Sequence, residues 1–131
     1  MAPGSTLDTV SPFFIVKNLA EAVDFYNSKL GFATELLIPE EDPFFAIVRR
    51  DGVGILLKEI GPDTHPVPNH TRHEWARWDA LIMAQDPDAL FAEFEARGIQ
   101  FHEPLDNTED GLRSFEIKDN DGYVLCFARP L

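Results

Sequence analysis

The sequence predicts an α+β fold built from two copies of a βαβββ module, and two observations support this prediction. The order strand, helix and three strands occurs twice along the chain. The register also agrees, because Ser11 precedes the first helix cap, Asn18, by seven residues, as Asp79 precedes the second cap, Asp86. A repeated spacing of this kind indicates duplication more strongly than either copy alone.

Each predicted helix has its own start and stop signals. Asn18 is a good N-cap for the first helix, and Gly31 ends it because glycine adopts the left-handed conformation easily. Asp86 caps the second helix, Pro87 takes its first position at no cost in hydrogen bonds, and Gly98 stops it. The apolar residues between these signals follow helical spacing.

Eight segments rich in β-branched and aromatic residues predict the strands. They are residues 10–16, 32–38, 44–50 and 53–59 in the first copy, and 79–84, 99–103, 112–118 and 123–129 in the second. Asp-Gly turns join the last two strands of each copy. We expect one domain over residues 1–131, with module one at about 9–60, a linker at 61–78 and module two at about 79–130. The first six or so residues are small and polar, and we expect them to fray.

Side-chain alternation predicts that the strands bury one face under the helices and turn the other towards a cavity enclosed by a curled mixed sheet. The predicted helix face is entirely apolar, so the helices cover the outer side. The opposite face mixes hydrophobic residues with an acid, a base, a thiol and a hydroxyl, a composition typical of a ligand site. With one linker tryptophan, the candidate ligand-binding residues are Ser11, Phe13, Leu56, Lys58, Trp75, Asp79 and Cys126.

Composition excludes several classes of partner. The net charge is −12, so neither nucleic acid nor an anionic membrane surface is an expected partner. No apolar stretch approaches the roughly 20 residues of a membrane span, and the N-terminal sequence lacks the parts of a signal peptide. The single cysteine allows no intramolecular disulfide. We therefore expect a cytoplasmic protein.

Two segments resemble the signatures of the vicinal oxygen chelate superfamily, which includes glyoxalase I, extradiol dioxygenases, fosfomycin-resistance enzymes and bleomycin-resistance proteins. They read VKNLAEAVDFYNSKLGF at 16–32 and DNDGYVLCF at 119–127. The resemblance extends over roughly residues 9–130 and implies paired βαβββ modules around a cavity, in agreement with the repeat.

In the catalytic branches, the resemblance implies a divalent metal whose ligands, usually His, Gln or Glu, carry over onto Ser11, Leu56, Asp79 and Cys126. Leu56 has no donor atom, and Ser11 is a poor ligand without activation. Only Asp79 is a good hard ligand, since Cys126 is soft. A catalytic zinc or iron site needs three or four protein ligands. We therefore expect no metal or other cofactor, and neither glyoxalase nor dioxygenase activity.

Individual candidates have structural as well as functional interpretations. Asp79 and Lys58 either anchor a polar ligand together, with Asp79 as a proton acceptor, or form a salt bridge near the strand ends. Cys126 is either a reactive thiol or, as we expect without a nearby base, a small buried hydrophobe. The linker is either a lid with Trp75 stacked on a ligand or a surface connection. Of Arg113 and Glu116, only one faces the cavity, and the sequence does not decide which.

The predicted function is metal-independent binding of a small organic molecule, cationic or aromatic, by a homodimer. This follows the metal-free branch of the superfamily, in which bleomycin-resistance proteins bind a cationic drug between two chains. One alternative is a lyase, isomerase or dioxygenase with a metal held by Asp79 and linker histidines. The other is a non-catalytic, ferredoxin-like interaction module whose own side chains fill the cavity.

Overall fold

The computed structural model describes residues 4–131, so the beginning of the terminus expected to fray lies outside the described residues. The elements are, in order, β1 (Phe13–Val16), α1 (Leu19–Ser28), β2 (Ala33–Ile38), β3 (Phe45–Arg50), β4 (Val53–Glu59), a 3₁₀ turn (Asn69–Thr71), β5 (Ala80–Met83), α2 (Pro87–Ala96), β6 (Phe101–Asn107), β7 (Leu112–Lys118) and β8 (Val124–Pro130). The predicted order of strands and helices is confirmed. No helix in this part of the chain is both long and apolar enough to span a membrane.

The two modules form separate four-stranded sheets, with strand orders β1-β4-β3-β2 and β5-β8-β7-β6. In each sheet the first and last strands of the module run parallel, and the other neighbours run antiparallel. Helix α1 packs on β2, β3 and β4, and α2 packs on β6, β7 and β8. The α+β class with two βαβββ modules is therefore confirmed, and the sheets do not close into a barrel.

The registers of the two modules are equivalent. Phe13 of β1 lies beside Leu56 of β4, and Leu81 of β5 lies beside Cys126 of β8. Leu56 and Cys126 therefore occupy corresponding positions, as their equal spacing predicts, since each lies five residues beyond the aspartate of an Asp-Gly turn, Asp51 or Asp121. The helix caps also correspond, since Asn18 Oδ1 accepts a hydrogen bond from an amide three residues on, at 3.0 Å, as Asp86 Oδ1 does.

Two strands, β1 and β6, differ from their predicted bounds by more than one residue. Strand β1 begins at Phe13 rather than at residue 10, since Pro12 has no N–H to contribute to a ladder. Strand β6 runs over Phe101–Asn107 rather than 99–103, because irregular pairing with β7 carries it across Pro104.

Aromatic side chains and one carboxylate join the modules. The rings of Phe14 and Tyr123 stack with centroids 4.3 Å apart, and the Tyr123 hydroxyl donates to the carbonyl oxygen of Ile15. The Tyr26 hydroxyl of α1 donates to Asp119 Oδ2, beyond the end of β7, over 2.7 Å. One core contains apolar side chains from both modules, so the two modules pack against each other.

Candidate functional site

A cavity of about 1070 Å³ lies along β5, between the two modules. Its walls come from the segment before β1, the turn between β3 and β4, strand β5 and the beginning of α2. The wall along β5 consists of Ala80, Leu81, Ile82, Met83 and Ala84. This space suits a small organic ligand, and its apolar wall is typical of such sites.

The polar lining of the cavity carries more negative than positive charge. It contains the carboxylates of Asp51, Asp79, Asp86 and Glu93, and one guanidinium, that of Arg50. The Arg50 guanidinium binds both carboxylate oxygens of Glu93 at 2.8 Å, which raises the pKa of Arg50 and lowers that of Glu93. Because Glu93 already neutralises Arg50, three carboxylates remain without a guanidinium partner in the lining.

The structure brings two predicted site residues, Ser11 and Asp79, to this cavity. Asp79 Oδ1 accepts from the amide of Asn69, and Oδ2 accepts from the amide of Val124, both at 2.8 Å. The carboxylate therefore ties the linker to the beginning of β8. The sequence predicted that Asp79 binds a ligand or forms a salt bridge, and it did not predict hydrogen bonds with these two amides.

Lys58 and Asp79 do not form the salt bridge that was one of their two interpretations. Within residues 4–131 no ion pair joins these side chains. The Lys58 ammonium lies 5.7 Å from the ring centroid of Phe44. Lys58 lies in the first sheet and Asp79 lies at the beginning of β5 in the second. Side-chain alternation predicts which face of its own sheet a residue occupies, but it does not predict contacts between two separate sheets.

Three further candidates share the inner face of the first sheet. Phe13, Leu56 and Lys58 occupy neighbouring positions on β1 and β4. The ring of Phe13 lies 6.4 Å from that of Phe45, which therefore belongs to this face, and Phe13 is 53 % exposed. The first sheet thus presents an apolar surface that the linker leaves open.

The linker covers the inner face of the second sheet. Trp78 Nε1 donates to Glu116 Oε2 over 3.0 Å, and His70 Nε2 lies 2.9 Å from the carbonyl oxygen of Gly122. Cys126 is fully buried on this face, and burial raises the pKa of its thiol to about 11, with the Glu116 charge as a smaller cause. A thiol held in its protonated form is a poor nucleophile, which agrees with the hydrophobic interpretation.

Trp75, the predicted stacking residue, lies on the outside of the linker. Its side chain is 81 % exposed and contacts the ring of His73, with centroids 5.6 Å apart. It does not line the cavity along β5. A role of Trp75 in ligand binding stays a prediction.

The structure decides between Arg113 and Glu116. Glu116 pairs with Cys126 across β7 and β8, so it faces inward, where its side chain is 6 % exposed. Arg113 points to the helix side and binds Asp88 of α2 through two nitrogens, at 2.9 and 3.0 Å. Side-chain alternation places Arg113 and Glu116 on opposite faces of β7, but it does not show which of the two faces inward. The register between β7 and β8 decides this.

The residues at the four carried-over metal positions do not fit a metal ion. Both oxygens of Asp79 already accept backbone hydrogen bonds, and burial favours the protonated thiol of Cys126. Leu56 has no donor atom, and Ser11 offers only a hydroxyl. Across residues 4–131, no group of three or more His, Cys, Asp or Glu side chains is arranged to hold a metal.

Two βαβββ modules with a cavity between them define the glyoxalase-like class of fold. A model of the Glyoxalase/Bleomycin resistance protein/Dioxygenase superfamily matches residues 6–127, and the chain belongs to this superfamily. The resemblance found in the sequence is therefore confirmed. Among curated proteins, none matches the sequence.

Several solved structures share the fold over nearly the whole chain. TioX from Micromonospora sp. ML1 is 21% identical with a TM-score of 0.73, and the match covers 95% of this chain and 99% of that one. A glyoxalase-related enzyme from Clostridium phytofermentans is 16% identical with a TM-score of 0.75, covering 99% and 100%. TnmS3, an antibiotic binding protein from Streptomyces sp. CB03234, is 22% identical with a TM-score of 0.69, covering 97% and 100%.

Proposed function

We propose that this protein binds, without a metal ion, a small organic molecule with an apolar or aromatic body and a cationic group, in the cavity along β5. The lining of the cavity carries this proposal, because it joins an apolar strand to an excess of carboxylates. Burial against β5 drives association of the apolar body, and the carboxylates attract the cation. The net charge of −12 acts in the same direction.

The donor chemistry supports metal independence. A metal site built on Ser11, Leu56, Asp79 and Cys126 would compete with two backbone hydrogen bonds at Asp79 and would have to deprotonate a buried thiol. The alternative with linker histidines has no better support, since His70 Nε2 already lies at hydrogen-bond distance from a carbonyl oxygen. No observation therefore favours a metal-dependent lyase, isomerase or dioxygenase.

The relatives and the open space favour a binding protein over an interaction module. TnmS3 is described as an antibiotic binding protein and has the same fold. A ferredoxin-like interaction module would fill its cavity with its own side chains, whereas about 1070 Å³ stays open here. The fold is compatible with many functions, so the lining residues and not the fold carry the choice of ligand.

We further propose that the protein acts as a homodimer in the cytoplasm. Strands β1 and β5 each form one edge of their sheet. They expose Phe13, Leu81 and Met83, and a second copy would cover these side chains and the unpaired edges. Size-exclusion chromatography with light scattering tests this arrangement, and a monomer at micromolar concentration would contradict it.

Fluorescence titration with two aromatic dyes tests the choice of ligand. The cationic dye proflavine should bind, and the anionic dye 1-anilinonaphthalene-8-sulfonate should bind more weakly, because carboxylates dominate the cavity lining. A chelator should leave the proflavine affinity unchanged. Loss of binding with the chelator, or tighter binding of the anionic dye, would contradict the proposal.

A matched pair of variants places the dye. Asp51 and Asp42 are both exposed and both have a φ of 51°, which asparagine tolerates, but only Asp51 lines the cavity. Asp51→Asn should weaken proflavine binding about two- to fivefold at low ionic strength, the usual size of an exposed charge interaction. Asp42→Asn should leave it unchanged, and equal effects of the two variants would place the dye elsewhere.

A further inference from the structure

Another pocket, of about 460 Å³, lies where the end of α1 meets the connection between α2 and β6. Module one contributes Phe25 and Lys29 to its lining, and module two contributes Phe101, Lys118 and Asp119. Among the described residues, it shares no lining residue with the cavity along β5. Its volume lies within the usual range of small-molecule sites, and a ligand here would be recognised independently of the proposed function.

The charged groups of this pocket differ from those of the cavity along β5. In the described lining, the two ammonium groups of Lys29 and Lys118 stand against one carboxylate, that of Asp119. In the cavity along β5, four carboxylates stand against one guanidinium. The whole chain has 23 acidic side chains and 11 lysines and arginines, so the local excess of ammonium groups runs against the average composition. It favours an anionic ligand over a cationic one.

The one carboxylate of the pocket already has its hydrogen-bond donors within the protein. Oδ2 of Asp119 accepts from the Tyr26 hydroxyl, and Oδ1 accepts from the amides of Asp121 and Tyr123. Within residues 4–131, no lysine forms an ion pair with this or any other carboxylate. Both ammonium groups of the pocket are therefore available to an anion.

Lys29 is held in place from the other module. Its ammonium donates to the carbonyl oxygen of Arg97, at the end of α2, over 2.9 Å. An ammonium group has three N–H donors, so this contact leaves two of them for a ligand. Lys29 thus gives the pocket a positioned charge, and the exposed Lys118 adds a second.

The pocket also has an apolar part. Phe25, Ile99 and Phe101 are half-buried side chains of its lining, and they would cover the apolar body of a ligand. The net charge of −12 repels anions at long range. At physiological salt this repulsion is screened over about 8 Å, so the charges that line the pocket decide which ligand is bound.

We propose that this pocket binds the carboxylate of a small organic acid with an aromatic or aliphatic body, with Lys29 and Lys118 as its counter-ions. The two ammonium groups approach the carboxylate from different modules, and the rings of Phe25 and Phe101 contact its body. Charge-assisted hydrogen bonds to the carboxylate distinguish this ligand from a neutral molecule of the same shape.

Sodium benzoate is a suitable probe. Titration of ¹⁵N-labelled protein at constant ionic strength should shift the backbone amide resonances of Gln100 and Lys118, both in the pocket lining, saturably. The amides of Leu81 and Met83 on β5 should not move. Benzyl alcohol, which has a similar ring and no charge, should bind more weakly, and benzylammonium chloride should not shift Gln100 or Lys118.

Two variants that each remove one positive charge form a matched pair. Lys118→Met should weaken benzoate binding about two- to fivefold, the usual size of an exposed charge interaction. Arg129→Met, at the opposite end of the β7–β8 pair and outside the pocket, should leave the affinity unchanged. Lys29→Met should weaken binding at least as much as Lys118→Met, and the amide spectrum of each free variant reports that it is folded.

Three results would each overturn the proposal. They are no saturable shift of Gln100 and Lys118 with benzoate, equal affinity for benzyl alcohol, and equal effects of Lys118→Met and Arg129→Met. Proflavine binding in the cavity along β5 is measured separately, so failure of one site leaves the other testable.

Discussion

The buried carboxylate of Asp119 predicts a pH-dependent stability that one substitution should remove. Its Oδ2 accepts from the Tyr26 hydroxyl, and its Oδ1 accepts from the amides of Asp121 and Tyr123 at 2.9 and 3.0 Å. Burial raises its pKa from 3.8 to about 6, although these hydrogen bonds act in the opposite direction. Asp119→Asn keeps the shape and an acceptor for the amides, and it carries no charge.

The sign of the effect follows from proton binding. Between about pH 4 and pH 6 the native state holds a proton on Asp119 that the unfolded state has lost, so the free energy of unfolding falls as the pH rises. A pKa of about 6 instead of 3.8 corresponds to about 3 kcal/mol in total. About 2 kcal/mol of this change falls between pH 4.5 and pH 7.5.

Urea denaturation of both proteins at a series of pH values measures this difference. The free energy of unfolding of Asp119→Asn minus that of the wild type should increase by about 2 kcal/mol from pH 4.5 to pH 7.5. Taking the difference cancels the titration of the other groups. Tyr26→Phe removes a donor that favours the carboxylate, so it should raise the pKa of Asp119 further.

A flat difference between the variant and the wild type over this pH range would refute the reasoning. A difference that decreases with pH would mean that the hydrogen bonds to Asp119 outweigh its burial. The ¹³Cγ resonance of Asp119 gives an independent check, because its titration midpoint should lie near pH 6.

Three further predictions concern contacts within and between the modules. Arg50→Met removes the guanidinium that joins Glu93 to the first module and should lower the free energy of unfolding by about 1–2 kcal/mol, measured in urea. Arg49→Met, which removes an exposed ion pair, should lower it much less, and equal losses would contradict the argument. Gly31→Ala places a Cβ on a residue with a φ of 74°, at 3.0 Å from Arg50 Nη1. It should therefore lower the free energy of unfolding by about 1–2 kcal/mol, measured by thermal or urea unfolding. An unchanged midpoint would argue against this backbone conformation. Native Cys126 should react with Ellman's reagent far more slowly than in urea, and rapid native labelling would show that the thiol is accessible.

Local sequence patterns determined the modules themselves. Asn18 and Asp86 are the N-caps of the two helices, and each side chain accepts a hydrogen bond from an amide three residues further on. Helix capping therefore needs no partner distant in the sequence. The strands alternate with a period of two residues, which predicted the apolar face under each helix. Leu56 and Cys126 follow Asp51 and Asp121 at the same spacing, which predicted that they occupy equivalent positions. The registers of the two sheets confirm this equivalence.

Only the tertiary structure decided how the halves of the site differ. The linker covers the second sheet through Asn69, His70 and Trp78 but leaves the inner face of the first sheet open. Asp79 accepts one hydrogen bond from the linker amide of Asn69 and one from the amide of Val124 in β8, and Glu116 is buried beneath the linker. These contacts join residues distant in the sequence, and their geometry depends on how the sheets and the linker pack. A pattern of neighbouring residues contains the period of a strand or helix but not the position of a distant partner, which is why the repeat could be predicted and the polar site could not.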